Sequence, residues 1–292
     1  MRVRAVHKEN TGELDTADWI DRTRDPYAEG DTLWVPVIES ESCDYELPER
    51  KRYCGRGYYR VGDIAVLHGK KPTRGEIDEI AGYCHPRGIL WIKSVQDITR
   101  TPETRVIWGS CGEVCHKEAG FSYIFDPEKV MFSMGNREEK ARIARIVCNR
   151  PGPERIADMF AGIGYFSLPL AGAGAAVHAM EINPVAFGYL LRSIEANELS
   201  GRISPSLGDC RELLTGTYDR IVMGHFDAVT MLPEALQHAT AGTTLHVHSI
   251  GLVDEQIRAH AKGAGFSATI RVHKVKKYRP HAWHMVQDVY LT

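Results

Sequence analysis

Two glycines and an acid in one short stretch carry the clearest chemistry of this chain. Residues 156–183 read IADMFAGIGYFSLPLAGAGAAVHAMEIN. An apolar run (Ile156, Ala157, Met159) leads into a glycine-rich turn containing Phe160, Gly162 and Gly164, and a second apolar run ends in Glu181 and Ile182. Such an arrangement suits a nucleoside. Glycines let the backbone approach the ligand, and an acid one strand later can take two ribose hydroxyls. No third glycine stands at the dinucleotide position, which favours S-adenosylmethionine over NAD. Two further stretches fit the same picture: Gly208-Asp209-Cys210, whose acid can accept an adenine amino group, and Met223-Gly224-His225.

These residues need strands that end side by side. From residue 154 apolar strand patterns alternate with helical ones. Strands are expected over 155–160, 175–181, 203–207, 219–223 and 243–249, and helices over 165–173, 184–198, 230–239 and 252–263. Asn183-Pro184 is a helix start, with Asn as N-cap and Pro in the first turn. Phe187, Leu190, Leu191 and Ile194 give that helix its apolar stripe. Strands over 267–274 and 284–291 close the pattern. Alternating elements predict an α/β fold: a doubly wound, mostly parallel, seven-stranded Rossmann-like sheet with a smaller N-terminal α+β domain. Ligands of such sheets bind at the carboxyl ends of the strands, where all the residues named above fall. A lone GxG is a weak signal, whereas polar or glycine signals at four successive strand ends form a specific one.

The 292 residues allow one large domain or two modest ones. A boundary is expected near residue 128, giving an N-terminal domain over 1–128 and a catalytic domain over 129–292. In the first part, 32–38 and 64–67 read as strands, 74–83 as a helix, and 106–126 as a hairpin turning at Ala119-Gly120. Next, Asn136 followed by Glu139 is a helix-start signal. Ala141, Ile143, Ala144 and Val147 form the apolar side of that helix, and Arg137, Lys140, Arg142 and Arg145 supply cations.

A net charge of −2 carries no global nucleic-acid signature. Local charge differs. Between Glu49 and Arg74 there are eight Lys/Arg and two acids; between Arg271 and His281 there are five and none. These clusters fit phosphates, or simply a solvated face. Lys51, Arg52, Arg56, Tyr58, Tyr59 and Arg60 interleave cations with rings, as surfaces that stack exposed bases do. Apolar runs are too short to span a membrane, the N-terminus lacks a signal-peptide core, and seven cysteines without repeated spacing argue against a disulfide framework. A cytoplasmic protein is expected. Cys111, Cys115 and His116 lack a second pair at zinc spacing, so no metal is expected.

With these residues in view, the chain resembles the class I methyltransferase-fold family that modifies position 37 of tRNA. The resemblance rests on DMFAGIGYFSLPLA, MEINPVAFGYLLRSIEANEL, LGDCREL, DRIVMGH, KVMFSMGNREEKARI and KKYRPHAWHMVQDVYL, and covers the chain from about residue 106 onward. Two branches compete: guanine-37 N1-methyltransferases and the aminocarboxypropyltransferases of wybutosine synthesis. The first carries an Asn-Pro-Pro or Asn-Leu-Pro motif after the fourth strand. Here that position reads Met223-Gly224-His225-Phe226, nearer the second branch, as is Tyr165.

The resemblance implies transfer of the 3-amino-3-carboxypropyl group of S-adenosylmethionine to 4-demethylwyosine at position 37 of tRNA-Phe, with methylthioadenosine released. The alternative is N1-methylation of guanosine 37. Carried over by motif, Ser133 borders the cofactor, and Lys140 stands where the family has an arginine for the methionine carboxylate. Lysine lacks the bidentate fork, so Arg142 is a candidate to share that work. Glu181 holds the ribose, Asp209 the adenine amino group, Cys210 offers a backbone contact, and Phe160 and Ile182 wall the nucleoside. His225 is a candidate base. Tyr278, Arg279 and His281 are candidates for RNA contact, and Trp283 is expected to pack under the sheet. The implied partner is the tRNA-Phe anticodon stem-loop, with no membrane and no obligate protein partner. The methyltransferase branch adds an N-terminal domain for the tRNA body, and this chain is expected to be too short for the full version of it.

Overall fold

A computed structural model describes residues 1–47, 53–96, 100–279 and 281–292. The chain divides into two compact units, Met1–Cys54 and Gly55–Thr292. In the first, β1 (Arg2–His7), β2 (Tyr27–Glu29), β3 (Thr32–Pro36) and β4 (Tyr45–Glu46) form an antiparallel sheet in the order β2-β3-β1-β4. Val3, Val35 and Val37 are its buried apolar residues.

The second unit opens with β5 (Tyr59–Val61), β6 (Ile64–His68), helix α1 (Arg74–Cys84), β7 (Gly88–Gln96) and β8 (Thr101–Gly109), whose strands form one sheet in chain order. Thr73 caps α1 in a capping box with Glu76. A hairpin follows, β9 (Val114–Glu118) and β10 (Phe121–Phe125), turning at Ala119-Gly120 as expected; the residues from 106 to Gly109 belong instead to β8. Val66 and Leu90 share one buried core with Ile143 and Ile156. The division expected near residue 128 therefore lies inside this unit, where apolar side chains from both sides of it pack together.

Helix α2 (Arg137–Cys148) precedes the large sheet. That sheet holds β11 (Arg155–Asp158), β12 (Ala176–Glu181), β13 (Ile203–Leu207), β14 (Arg220–Met223), β15 (Thr244–Ile250), β16 (Ala268–Arg279) and β17 (Ala282–Leu291). Their order is β13-β12-β11-β14-β15-β17-β16; the first five are parallel and β17 is antiparallel to both its neighbours. This is the expected α/β architecture. Side chains alternate between its faces: Ile156 packs with α3 (Ser167–Gly172) and α4 (Pro184–Ala196), whereas Ala157 packs with α6 (Leu232–Gln237) and α7 (Asp254–Gly263). Asn183 caps α4 through Val185 and Ala186, as its sequence predicts. Asn136 makes no such cap bond to α2.

A buried polar chain crosses the sheet. Arg220 grips Glu154 at 2.7 and 2.9 Å and donates to His246 Nε2 at 2.7 Å. With that nitrogen an acceptor, His246 carries its hydrogen on Nδ1, which donates to Asp288 at 2.6 Å. Burial opposes ionisation of Asp288, but the bonds from His246 and Arg142 outweigh it and hold its carboxyl well below the usual range.

Asp158, at the end of β11, is fully buried and accepts from Ser167 Oγ at 2.6 Å. Burial pushes its carboxyl up to about 6. The folded state thus binds this proton more tightly than the unfolded chain, where a carboxyl titrates near 4. The stabilisation is complete below pH 4 and is lost as pH rises through about 6, amounting to about 3 kcal/mol. Urea denaturation should show Asp158→Asn gaining that much relative to the unsubstituted protein between pH 4 and pH 7; a constant difference would refute it.

Candidate functional site

A cavity opens at the carboxyl ends of β11 to β14. The glycine turn after β11 forms one wall. Gly162 has φ 58° and donates its N–H to Glu181 Oε2 at 2.7 Å, and a Cβ there would overlap the Tyr165 ring. Gly162→Ala is expected to cost about 1–3 kcal/mol, read by denaturation, because both backbone and space demand glycine. Gly164 (φ 100°) departs from expectation. It does not line the cavity; a Cβ there would meet Leu168 at 2.9 Å and Leu190 at 3.2 Å, so its absence of side chain serves helix packing.

Glu181, at the end of β12, receives two backbone N–H groups, one per oxygen: Gly162 at 2.7 Å and Asn183 at 2.7 Å. Burial nevertheless raises its carboxyl above the usual range. Beside it, Ile182 is 41% exposed and lines the cavity, so it is not a core residue. Asp209 caps the short helix α5 (Cys210–Leu213), and the hydrogen bond from Arg211, with Nε at 3.0 Å, lowers its carboxyl below the usual range. Burial pushes the Cys210 thiol up to about 12, which leaves it inert.

Phe160 stacks on His225 with centroids 5.4 Å apart. His225 Nδ1 accepts from the Asp227 N–H at 3.2 Å. Burial, then Arg100, pulls this imidazole down, so the neutral ring carries its hydrogen on Nε2. After β14, Gly224 leaves room for Phe166: a Cβ on it would lie 3.3 Å from that ring.

At the other end stand Ser133, Asn136 and Lys140. Lys140 is 3% exposed and forms an ion pair with Glu118, which also takes Arg137 at 3.1 Å. Its ammonium lies over Phe132 (5.0 Å), Tyr123 (5.4 Å) and Tyr165 (5.8 Å). Burial lowers it from the usual lysine value despite Glu118. Tyr165 also donates to the Met131 carbonyl, closing this cage. Arg142 is not in the cavity at all. Asp288 (2.7 and 2.9 Å) and Glu139 (2.8 and 2.7 Å) occupy its guanidinium.

Ser133, Lys140, Phe160, Gly162, Glu181, Ile182, Asp209, Cys210 and His225 thus share one cavity, without Gly164 and Arg142. Arg100, Asn136 and Phe226 join them without having been singled out as ligand contacts. Asn136 carried a signal, read as a helix cap; Arg100 carried none. Among the described residues no group of three or more His, Cys, Asp or Glu could hold a metal ion. His248 and His284 meet at 2.9 Å inside the sheet, behind Phe166 and Phe226.

Of the basic segments, Lys51 and Arg52 lie outside the described residues. Arg56 donates to the His68 carbonyl at 2.8 Å, and Tyr59 bonds His68 Nε2 at 2.8 Å, so both are engaged within the fold; Arg60, Tyr278, Arg279 and His281 are exposed. Trp283 is 41% exposed, with Lys274 Nζ 5.5 Å from its ring, rather than packed under the sheet. No described helix is long and apolar enough to cross a membrane.

Known proteins extend these findings. The TRM5/TYW2 methyltransferase domain family matches residues 114–276. A Methanocaldococcus jannaschii protein named tRNA(Phe) (4-demethylwyosine(37)-C(7)) aminocarboxypropyltransferase is 33% identical over 247 residues, which span 80% of this chain and 97% of its own. The crystal structure of Pyrococcus horikoshii TYW2 in complex with MeSAdo superimposes with a TM-score of 0.70 at 27% identity, covering 81% of this chain and 91% of that one. Trm5b of Pyrococcus abyssi gives a TM-score of 0.73 at 25% identity and covers 99% of both chains. The expectation that the chain is too short for the full version of the methyltransferase branch's N-terminal domain is corrected by this near-complete coverage of both chains. With more than half its length matched by the domain and a relative at this identity, the chain belongs to the TRM5/TYW2 family.

Proposed function

We infer that this protein is an S-adenosylmethionine-dependent tRNA aminocarboxypropyltransferase. It transfers the 3-amino-3-carboxypropyl group to 4-demethylwyosine at position 37 of tRNA-Phe and releases methylthioadenosine. The observation that carries this reading is the 33% identity to an aminocarboxypropyltransferase over nearly that protein's whole length, joined to a cavity whose residues suit the nucleoside.

The fit can be argued group by group. Glu181 uses one lone pair on each oxygen for backbone N–H groups, leaving others for two ribose hydroxyls. Asp209, ionised and braced by Arg211, accepts from the adenine amino group, and Cys210 offers its backbone. Phe160 and Ile182 wall the base. Ser133 borders the methionine arm. When bound, S-adenosylmethionine supplies a sulfonium whose attached carbons are electrophilic, and the carbon facing the acceptor is the one transferred. The protein's task is therefore orientation. His225, with hydrogen on Nε2 and its other nitrogen engaged, acts as a stacking wall and donor rather than as a base.

The target base must leave its stack to reach such a cavity. Exposed Tyr278, Arg279 and His281 suit a splayed anticodon loop. This tRNA role, together with seven free cysteines, supports a cytoplasmic setting. The whole-chain match to Trm5b favours one second reading, N1-methylation of guanosine 37. Incubation of precursor tRNA-Phe with carboxyl-labelled or methyl-labelled S-adenosylmethionine separates the two. Carboxyl label is expected in the tRNA; methyl label alone would sink the reading.

A further inference from the structure

The cation expected to hold the methionine carboxylate, Lys140, already has a carboxylate: Glu118 neutralises it inside a cage of three rings. A ligand carboxylate would have to displace Glu118, itself 5% exposed and gripped by Arg137. A second cation at that end of the cavity would leave this ion pair intact.

Lys276 is such a cation. On β16 the register to β17 steps from Lys274 opposite Met285 to Lys276 opposite His284, so Val275 is an extra residue. A bulge of this kind bends a strand and re-aims the following side chain. The Lys276 side chain runs over Gly135, where a Cβ would lie 2.5 Å from its Cδ, and its ammonium donates to Ser133 Oγ at 3.3 Å. Ser133 lines the cavity; Lys276 does not line it itself and stands directly behind that hydroxyl. Among the described residues no carboxylate pairs with Lys276; burial, then Arg100 and Lys140, depress its ammonium below the usual lysine value. Opposite, burial and then Lys276 push His284 down to about 4, so that ring is neutral and adds no second positive charge beside the ammonium.

Two further groups converge there. Arg100 lines the cavity in a left-handed conformation (φ 51°), a strained state that persists where the surroundings enforce it. Among the described residues its side chain meets the Phe226 ring at 5.4 Å and Met131 Sδ at 3.9 Å. Among the described residues, Asn136 Oδ1 is buried without a hydrogen-bond partner. A buried acceptor in that state is costly until a donor reaches it.

We propose that Lys276, with Arg100, binds the α-carboxylate of the cofactor's methionine arm, and that Asn136 Oδ1 accepts from its α-ammonium. The inference rests on the reading that S-adenosylmethionine occupies this cavity. One anion and one cation on the same carbon are then met by two donors and one acceptor, which fixes the arm's rotation. Lys140 instead serves to hold α2 against the β9–β10 hairpin.

Calorimetry with three probes tests this: S-adenosylmethionine, decarboxylated S-adenosylmethionine and methylthioadenosine. Lys276→Met is expected to weaken the first by about 10–100-fold, the worth of one charged hydrogen bond, and to leave the other two within about twofold. Lys276→Arg should recover most of the loss. Equal loss of all three ligands would mean general damage and overturn the proposal. Unchanged binding of all three with a raised KM for tRNA would assign the lysine to an RNA phosphate and overturn it as well. So would carboxylate-selective loss in Lys140→Met. Were the unsubstituted protein to bind none of the probes, the cofactor reading itself would fall, a result distinct from the others.

Discussion

Glu181→Ala is expected to weaken binding of S-adenosylmethionine and of methylthioadenosine alike, by a factor of about 100 or more. Two hydrogen bonds from ribose hydroxyls to a carboxylate are each worth about 1.5–3 kcal/mol, and about 1.4 kcal/mol is tenfold in affinity. The variant also strips the Gly162 and Asn183 N–H groups of their acceptor, which loosens the glycine turn. Glu181→Gln separates the two effects, because its one carbonyl oxygen can still take a backbone donor; its loss should be smaller. Both ligands must suffer equally, since they share the nucleoside. Loss confined to S-adenosylmethionine would place Glu181 at the arm and contradict its assignment to the ribose.

The other large effect concerns stability. Arg220→Ala should cost about 3 kcal/mol, the low end for breaking a buried pair, because it leaves buried Glu154 with only the largely exposed Arg150 at 3.1 Å. The side chains of the pair are only 4% and 6% exposed. The substitution also frees His246 Nε2, and with it the tautomer that donates to Asp288. Replacing Arg220 and Glu154 together with apolar residues should recover much of the loss, since a buried pair contributes little beyond its apolar equivalent. Urea denaturation of the two variants decides this; an equal cost for both would show that the pair itself stabilises the sheet.

The parallel sheet was legible because its strands are short apolar runs set off by glycine turns and helix caps, as at Asn183-Pro184. Ligand residues follow from it, since those at the carboxyl ends of β11 to β14 come together whatever the loops do. Side-chain roles within a motif were less legible. Gly162 and Gly164 look alike in sequence, yet one faces the cavity and the other faces Leu168 and Leu190. Lys140 and Arg142 look like neighbouring ligand cations, yet each is consumed by an acid from a distant element: Glu118 on a hairpin and Asp288 on the penultimate strand of the sheet order. Lys276 owes its direction to a bulge, which leaves no signature in a run of alternating lysines.

Gly224 and Phe166 together bear on how readily one branch's chemistry could be changed into the other's. The backbone at 224 is not left-handed, so it would admit other residues. The obstacle is the ring of Phe166, which would sit 3.3 Å from any new Cβ and itself packs edge-on against His248. A side chain installed at 224 therefore requires the Phe166 ring to give by a few tenths of an ångström. Positions 224 and 166 are in direct contact, so the effect of substituting one is expected to depend on the residue at the other, and the two would be changed together in any conversion between the branches.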